Sequence, residues 1–205
     1  MDITVSRATS VEDQRDARYL LKTVYKDEFG INFDEFKSVF PLDFNTILLV
    51  IRNEENQLLG TASIMEPVGK LFPTEYIFGA NVQKFEQVLP LAGAVEIGRL
   101  AKSKDAKAGI VTKAIMLATM DYLTMSNFQG WVSTVKSPLY RLLRSMGLEM
   151  FTFDEFAQKE GVEAEIVARY KGDHIESFFA STQDTVTAFR KIERSGPGYQ
   201  INILL

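Results

Sequence analysis

The stretch from Ala94 to Gly109, reading AVEIGRLAKSKDAKAG, constrains the fold more than any other part of the chain. Apolar residues recur at Val95, Ile97, Leu100 and Ala101, close enough to alternation to predict a strand. A polar turn follows through Ser103, Lys104 and Asp105. A long helix is then expected from about Ala106 to Ser126, with Ser103 or Asp105 as its N-cap. A strand that feeds a cationic turn at a helix N-terminus makes an anion site, because unpaired N–H groups and the helix dipole both favour negative charge.

Within that strand stand a carboxylate, Glu96, and a guanidinium, Arg99, with Gly98 between them. In a regular strand Glu96 and Arg99 point to opposite faces, since the side-chain period is two. A glycine inside a strand often marks a bulge. One extra residue at Gly98 brings both charges onto one face and frees a backbone N–H for an acyl oxygen. Two readings follow, an acyl-transfer centre or a structural ion pair at a strand end.

Around this centre the elements alternate. A first strand is expected over 2–8, then a helix opened by a capping box at Ser10 and Asp13, with Ala17, Leu20, Leu21 and Val24 on one face and Gly30 as C-cap. Asn32 to Phe40 reads as a shorter helix ended by Pro41, its Phe33, Phe36 and Phe40 either core or the wall of an acyl pocket. Thr46 to Ile51 and Leu58 to Met65 form an antiparallel pair in which Gly60 marks a close approach. The long connection from Pro67 to Gly93 carries a helix near 82–88, and a connection of that length is usually functional. Gln129 to Val135 is a second central strand, followed by a helix from Pro138 to Gly147. Strands are expected over 148–153 and 164–170, a helix over 183–194, and a terminal strand from Tyr199. Trp131 reads as core and His174 as structural.

The 205 residues suit one domain, 1–205, and a chain of this size buries about 70% of its unfolded surface without a staple. With no cysteine there is no disulfide, thiolate metal site or cysteine nucleophile, and a single histidine makes a transition-metal site unexpected. The first residues lack a signal-peptide pattern and no run reaches membrane-spanning length, so a cytoplasmic location is the expectation. A net charge of −4 argues against nucleic acid as a partner. Yet from Glu96 to Arg144 eight basic residues face three acidic ones, a balance of +5 that leaves −9 elsewhere. This local excess fits either an anionic partner of limited size or solvated lysines flanking a helix.

The order of elements is that of an α/β (α+β) layer arrangement, and it resembles the GNAT acyltransferase fold, a central mixed, mostly antiparallel sheet flanked by helices. The resemblance narrows at Gly60-Thr-Ala-Ser63, Leu71-Phe-Pro73, Glu96-Ile-Gly-Arg99-Leu-Ala101, Lys107 to Lys113 and Leu139 to Gly147. Together these look like the long-chain N-acyl amino acid synthases and their relatives, the acyl-homoserine-lactone (autoinducer) synthases, which use an E-x-x-R strand and an R-x-x-x-x-G helix end. The chain departs from the lactone synthases at Gly98, where they usually carry serine, and at Leu21, where they carry arginine. It departs from acetyl-CoA enzymes at the pyrophosphate turn, where Ala106, Gly109 and Val111 keep only the middle glycine.

The resemblance implies thioester aminolysis: a medium- or long-chain acyl group passes from an acyl carrier protein, or from acyl-CoA, to a small-molecule amine such as an amino acid. It implies no tightly bound cofactor and no metal. Glu96 is then the base for the ammonium proton, Arg99 its support or the clamp on an acceptor carboxylate, and Gly98 the source of oxyanion N–H groups. Ser133 and Thr134 add hydroxyl donors, and Tyr140 is the candidate acid for the thiolate. The donor's pantetheine and phosphates fall to Leu100, Lys102, Lys104, Lys107, Gly109 and Thr134. A lactone synthase, or a non-catalytic module that binds an acylated ligand, are the alternatives.

Overall fold

The structure, a computed structural model, describes residues 1–34, 46–67, 71–107, 109–157, 164–165, 168–169 and 174–205. Nine strands build one mixed sheet: β1 (Asp2–Arg7), β2 (Thr46–Asn53), β3 (Leu58–Met65), β4 (Ala94–Lys102), β5 (Gly130–Lys136), β6 (Phe151–Phe153), β7 (Ile175–Ser181), β8 (Ser195–Gly196) and β9 (Tyr199–Leu204). Their spatial order is β6-β7-β5-β4-β3-β2-β1-β9-β8. All neighbours run antiparallel except β4 with β5 and β1 with β9.

Helices cover both faces. Helix α1 (Val11–Phe29) starts at Ser10, whose hydroxyl accepts the Asp13 N–H at 3.0 Å, and buries Ala17, Leu21 and Tyr25. Helix α2 (Pro73–Phe78) lies on the same face, and α3 (Ile110–Met125) packs on the other. Helices α4 (Ser137–Ser145) and α5 (Thr182–Phe189) follow later in the chain. The two faces are legible along β2: Leu48 and Val50 pack with Ala17 of α1, while Leu49 and Ile51 pack with α3. Gly60 is where α3 comes closest, since a Cβ there would lie 2.5 Å from Val111 Cγ1. No helix among the described residues is long and apolar enough to cross a membrane.

Several expectations change. Helix α3 begins at Ile110, not Ala106, because Gly109 takes a left-handed φ of 82° and serves as N-cap in place of Ser103 or Asp105. The connection before β4 holds α2 and two short 3-10 turns, Gln83–Phe85 and Leu91–Gly93, instead of a helix over 82–88. The expected strand over 164–170 is helical at 164–165 and 168–169, with an ion pair from Arg169 to Glu165 one turn away. Residues 175–181 form a strand where no element was expected, inserted between β5 and β6. The expected helix from Asn32 to Phe40 lies largely outside the described residues; Phe33, inside them, is core against Tyr25.

Candidate functional site

The site forms where β4 parts from β5 and slips register against β3. Strands β4 and β5 pair only at Ala94/Gly130, Val95/Trp131 and Glu96/Val132, and beyond those residues they diverge. On its other side β4 slips register against β3: Ser63 stands opposite Gly98, and Thr61 opposite Ala101, so β4 holds one residue more than β3 across this interval. The bulge is therefore present, and Arg99 takes a φ of +51° inside it. A left-handed non-glycine residue costs of the order of 1–3 kcal/mol and persists only where the surroundings over-determine it.

The slip inverts the faces. Before it, Val95 and Ile97 pack with α3; after it, Ala101 packs with α1 and α2 while Leu100 turns toward α3. Glu96 and Arg99 accordingly sit near each other on the α1/α2 side, 4% and 6% exposed, and near Tyr76 of α2. Among the described residues the two form no ion pair within 4.0 Å. Glu96 is held instead by Thr74, whose main-chain N–H donates to Oε2 at 2.7 Å. Burial drives the Glu96 carboxyl up to about 8, against the opposing pull of the Thr74 N–H, the Thr74 hydroxyl and the Arg99 charge, with Glu75 adding to the rise. Burial likewise lifts the Tyr76 phenol to about 12.

The diverging strands leave a cavity of about 350 Å³ that crosses the sheet. Its wall includes Tyr25, Glu28 and Phe29 of α1 and also Ile115, Met116 and Thr119 of α3, helices on opposite faces. Gly98, Arg99 and Leu100 line it from β4, Trp131, Ser133, Thr134 and Lys136 from β5, and Leu143 and Phe189 deepen its apolar side. The passage between the two strands is largely apolar, with charged and polar groups near the bulge.

The remaining expected residues divide. Ser133 is in the cavity wall, its hydroxyl donating to the Ile97 carbonyl at 2.6 Å across the divergence. Tyr140 is not in the wall; its hydroxyl lies 2.6 Å from Thr152 Oγ1 and its ring leans on Phe178. The geometry does not bring it to the bulge. Lys102 donates to the Ser103 and Ala106 carbonyls, and Lys104 pairs with Asp27 at 3.0 Å. Lys107 and Gly109 line a separate hollow of about 230 Å³ with Lys113 and Tyr199. Trp131 is core, donating to Thr185 at 2.8 Å, and His174 offers its carbonyl to Ser137. Phe33 and Phe72 are core as well, and neither lines the cavity.

Sequence reasoning missed Thr74 and Ser177. Thr134 Oγ1 is 2.8 Å from Thr74 Oγ1 and 2.7 Å from Ser177 Oγ. The one local signal was Pro73 at a helix start with Glu75 close behind, and the Glu75 carboxylate does accept the Phe72 N–H at 3.0 Å.

A mixed sheet split between two parallel central strands, with a bulge beside the split, decides the fold. This is the GNAT-like acyltransferase fold. Solved structures agree. FeeM, an N-acyl amino acid synthase from uncultured soil microbes, superposes with a TM-score of 0.63 at 13% identity, over 91% of this chain and 94% of its own. The acyl-homoserine-lactone synthase LasI gives 0.59 at 11% identity, over 95% and 98%. BjaI, a CoA-dependent lactone synthase solved with SAM and isopentyl-CoA, gives 0.52 at 10%, over 98% and 92%. No protein-family model and no curated protein matches the sequence.

Proposed function

We propose that the protein is an N-acyltransferase that moves a medium- or long-chain acyl group from a thioester, on an acyl carrier protein or coenzyme A, to the amine of an amino acid or a related small molecule. One observation carries the reading: buried Glu96 and Arg99 share a face at a bulge that borders a cavity crossing the sheet. The acyl chain lies in the apolar part of the cavity, and the thioester carbonyl faces the Gly98–Leu100 main chain, where N–H groups stabilise the oxyanion. The amine attacks, the C–N bond forms, the C–S bond breaks, and Glu96 takes the ammonium proton. Arg99 positions the acceptor, a planar guanidinium suiting a carboxylate. Leu21, buried beside Tyr25, supplies no cation where the lactone synthases carry arginine, which favours the amino-acid acceptor.

Purified protein incubated with decanoyl-carrier protein, decanoyl-CoA and pooled amino acids should release free thiol and form an N-acyl product detectable by mass spectrometry. Thiol release no faster than in protein-free controls, with ligand binding intact, would instead mark a binding module.

A further inference from the structure

Glu96 poses a problem for this chemistry, because it is buried and is not among the residues lining the cavity. Thr134 lines it and Thr74 joins the two. The Thr74 N–H holds Glu96 Oε2 at 2.7 Å, and the hydroxyl of the same residue favours the ionised form of that carboxyl. Thr74 Oγ1 stands 2.8 Å from Thr134 Oγ1, which stands 2.7 Å from Ser177 Oγ, its cross-strand partner. Thr74 and Ser177 are both fully buried.

Resting on the acyltransferase reading, we propose that Thr134 and Thr74 form a two-hydroxyl proton relay from the acceptor amine to Glu96. A hydroxyl donates and accepts at once, so a row of them can be turned over as a proton passes. As the C–N bond forms, the amine nitrogen gives its proton to Thr134 Oγ1, Thr134 gives its own to Thr74 Oγ1, and Thr74 gives its own to the Glu96 carboxylate. The C–S bond breaks, and the thiolate takes a proton back over the same row. The net products are amide and thiol, with every hydroxyl restored. Ser177 accepts from or donates to Thr134 and fixes its rotamer; it is a positioning residue, as is Thr74. The charged and titratable groups around the carboxyl are Arg99 on its own strand and Glu75 and Tyr76 on α2.

Thr74→Val tests the relay, because valine keeps the shape and the main-chain N–H to Glu96 while removing only the hydroxyl. In the full-length protein with decanoyl donor and the best acceptor, Thr74→Val should lower kcat about 10²-fold or more, the range of general-base loss. The donor KM should hold, and the rise of kcat with pH near 8 should flatten. Thr74→Ser should restore both, and Thr134→Val should repeat the defect. A folded Thr74→Val protein with wild-type kcat across pH 6–10 overturns the relay while leaving the acyltransferase reading intact. Wild-type protein that turns over no thioester overturns both. A Thr74→Ser protein as slow as Thr74→Val makes Thr74 structural, which also overturns it.

Discussion

Replacing Glu96 by glutamine separates a structural ion pair from a buried neutral acid. Folding lifts the carboxyl from an ordinary 4.5 to about 8, chiefly by desolvation. The native state therefore binds a proton more tightly than the unfolded chain, and its contribution is fully present below pH 4.5 and lost as pH rises through 8. At 1.36 kcal/mol per tenfold change, the interval from 4.5 to about 8 corresponds to a loss of roughly 5 kcal/mol. Glutamine has no proton to lose, and its amide oxygen still accepts the Thr74 N–H. Urea denaturation at pH 5, 7 and 9 should therefore show wild type losing several kcal/mol relative to Glu96→Gln on going to alkaline pH. In melts this is about 2–4 °C per kcal/mol. The activity arm runs the other way, since a base must be ionised: wild-type kcat should climb toward pH 8, and Glu96→Gln should lie about 10²–10⁴ below it. A stability difference that is constant from pH 5 to 9 would refute the reasoning, because it would mean that Arg99 already keeps Glu96 ionised at pH 5.

Arg99→Lys keeps the charge but loses the planar fork; the acceptor KM should rise severalfold with the melting temperature little changed, and a large drop in melting with normal KM would make Arg99 structural. Gly60→Ala places a Cβ 2.5 Å from Val111 Cγ1 and 3.1 Å from the Ala101 carbonyl, so overpacking of about 1–3 kcal/mol should appear in calorimetry. Arg141 and Arg144 are exposed on α4; if they dock an acidic carrier protein, affinity measured by titration should fall steeply from 0.1 to 1 M salt as screening shortens from about 10 to about 3 Å, and Arg144→Glu should weaken it further. Lengthening the acyl donor from four to ten carbons should raise kcat/KM, each buried CH₂ contributing up to about 0.8 kcal/mol, and equal rates for acetyl and decanoyl donors would leave the cavity without that role.

The bulge was legible because a regular ladder would send one of two nearby opposite charges into an apolar core, and the glycine between them marks where the ladder can slip. The bulged residue itself was not, since Arg99 and not Gly98 carries the positive φ. The start of α3 was misread for a physical reason: Ser103 and Asp105 have capping side chains, yet the chain first turns, with Ser103 accepting the Asp105 N–H, and enters the helix only at Gly109. Residues 175–181 gave no strand signal because Ser177, Phe178, Phe179 and Ala180 are buried in succession, and alternation disappears in a strand covered on both faces. The Thr74–Glu96 contact spans 22 residues and the Thr74–Thr134 contact 60, separations at which no local pattern can act.

One inserted residue accounts for much of the site. Without it, Arg99 would follow Val95 and Ile97 toward α3 and place a guanidinium among the apolar side chains of the main core, where burying a charge is most costly. With it, Ala101 falls beneath α1, Leu100 returns to the α3 side, and Arg99 stands on the same face as Glu96 at the cavity edge. The register is pinned on both sides of the slip, by Ile64 opposite Ile97 and by Gly60 opposite Lys102, so the strained φ at Arg99 is held between two paired segments. The same interval is where β5 turns away, bridged by the Ser133 hydroxyl on the Ile97 carbonyl. Slip and divergence together set two charges beside an apolar passage through the sheet, and the proposed aminolysis rests on that combination.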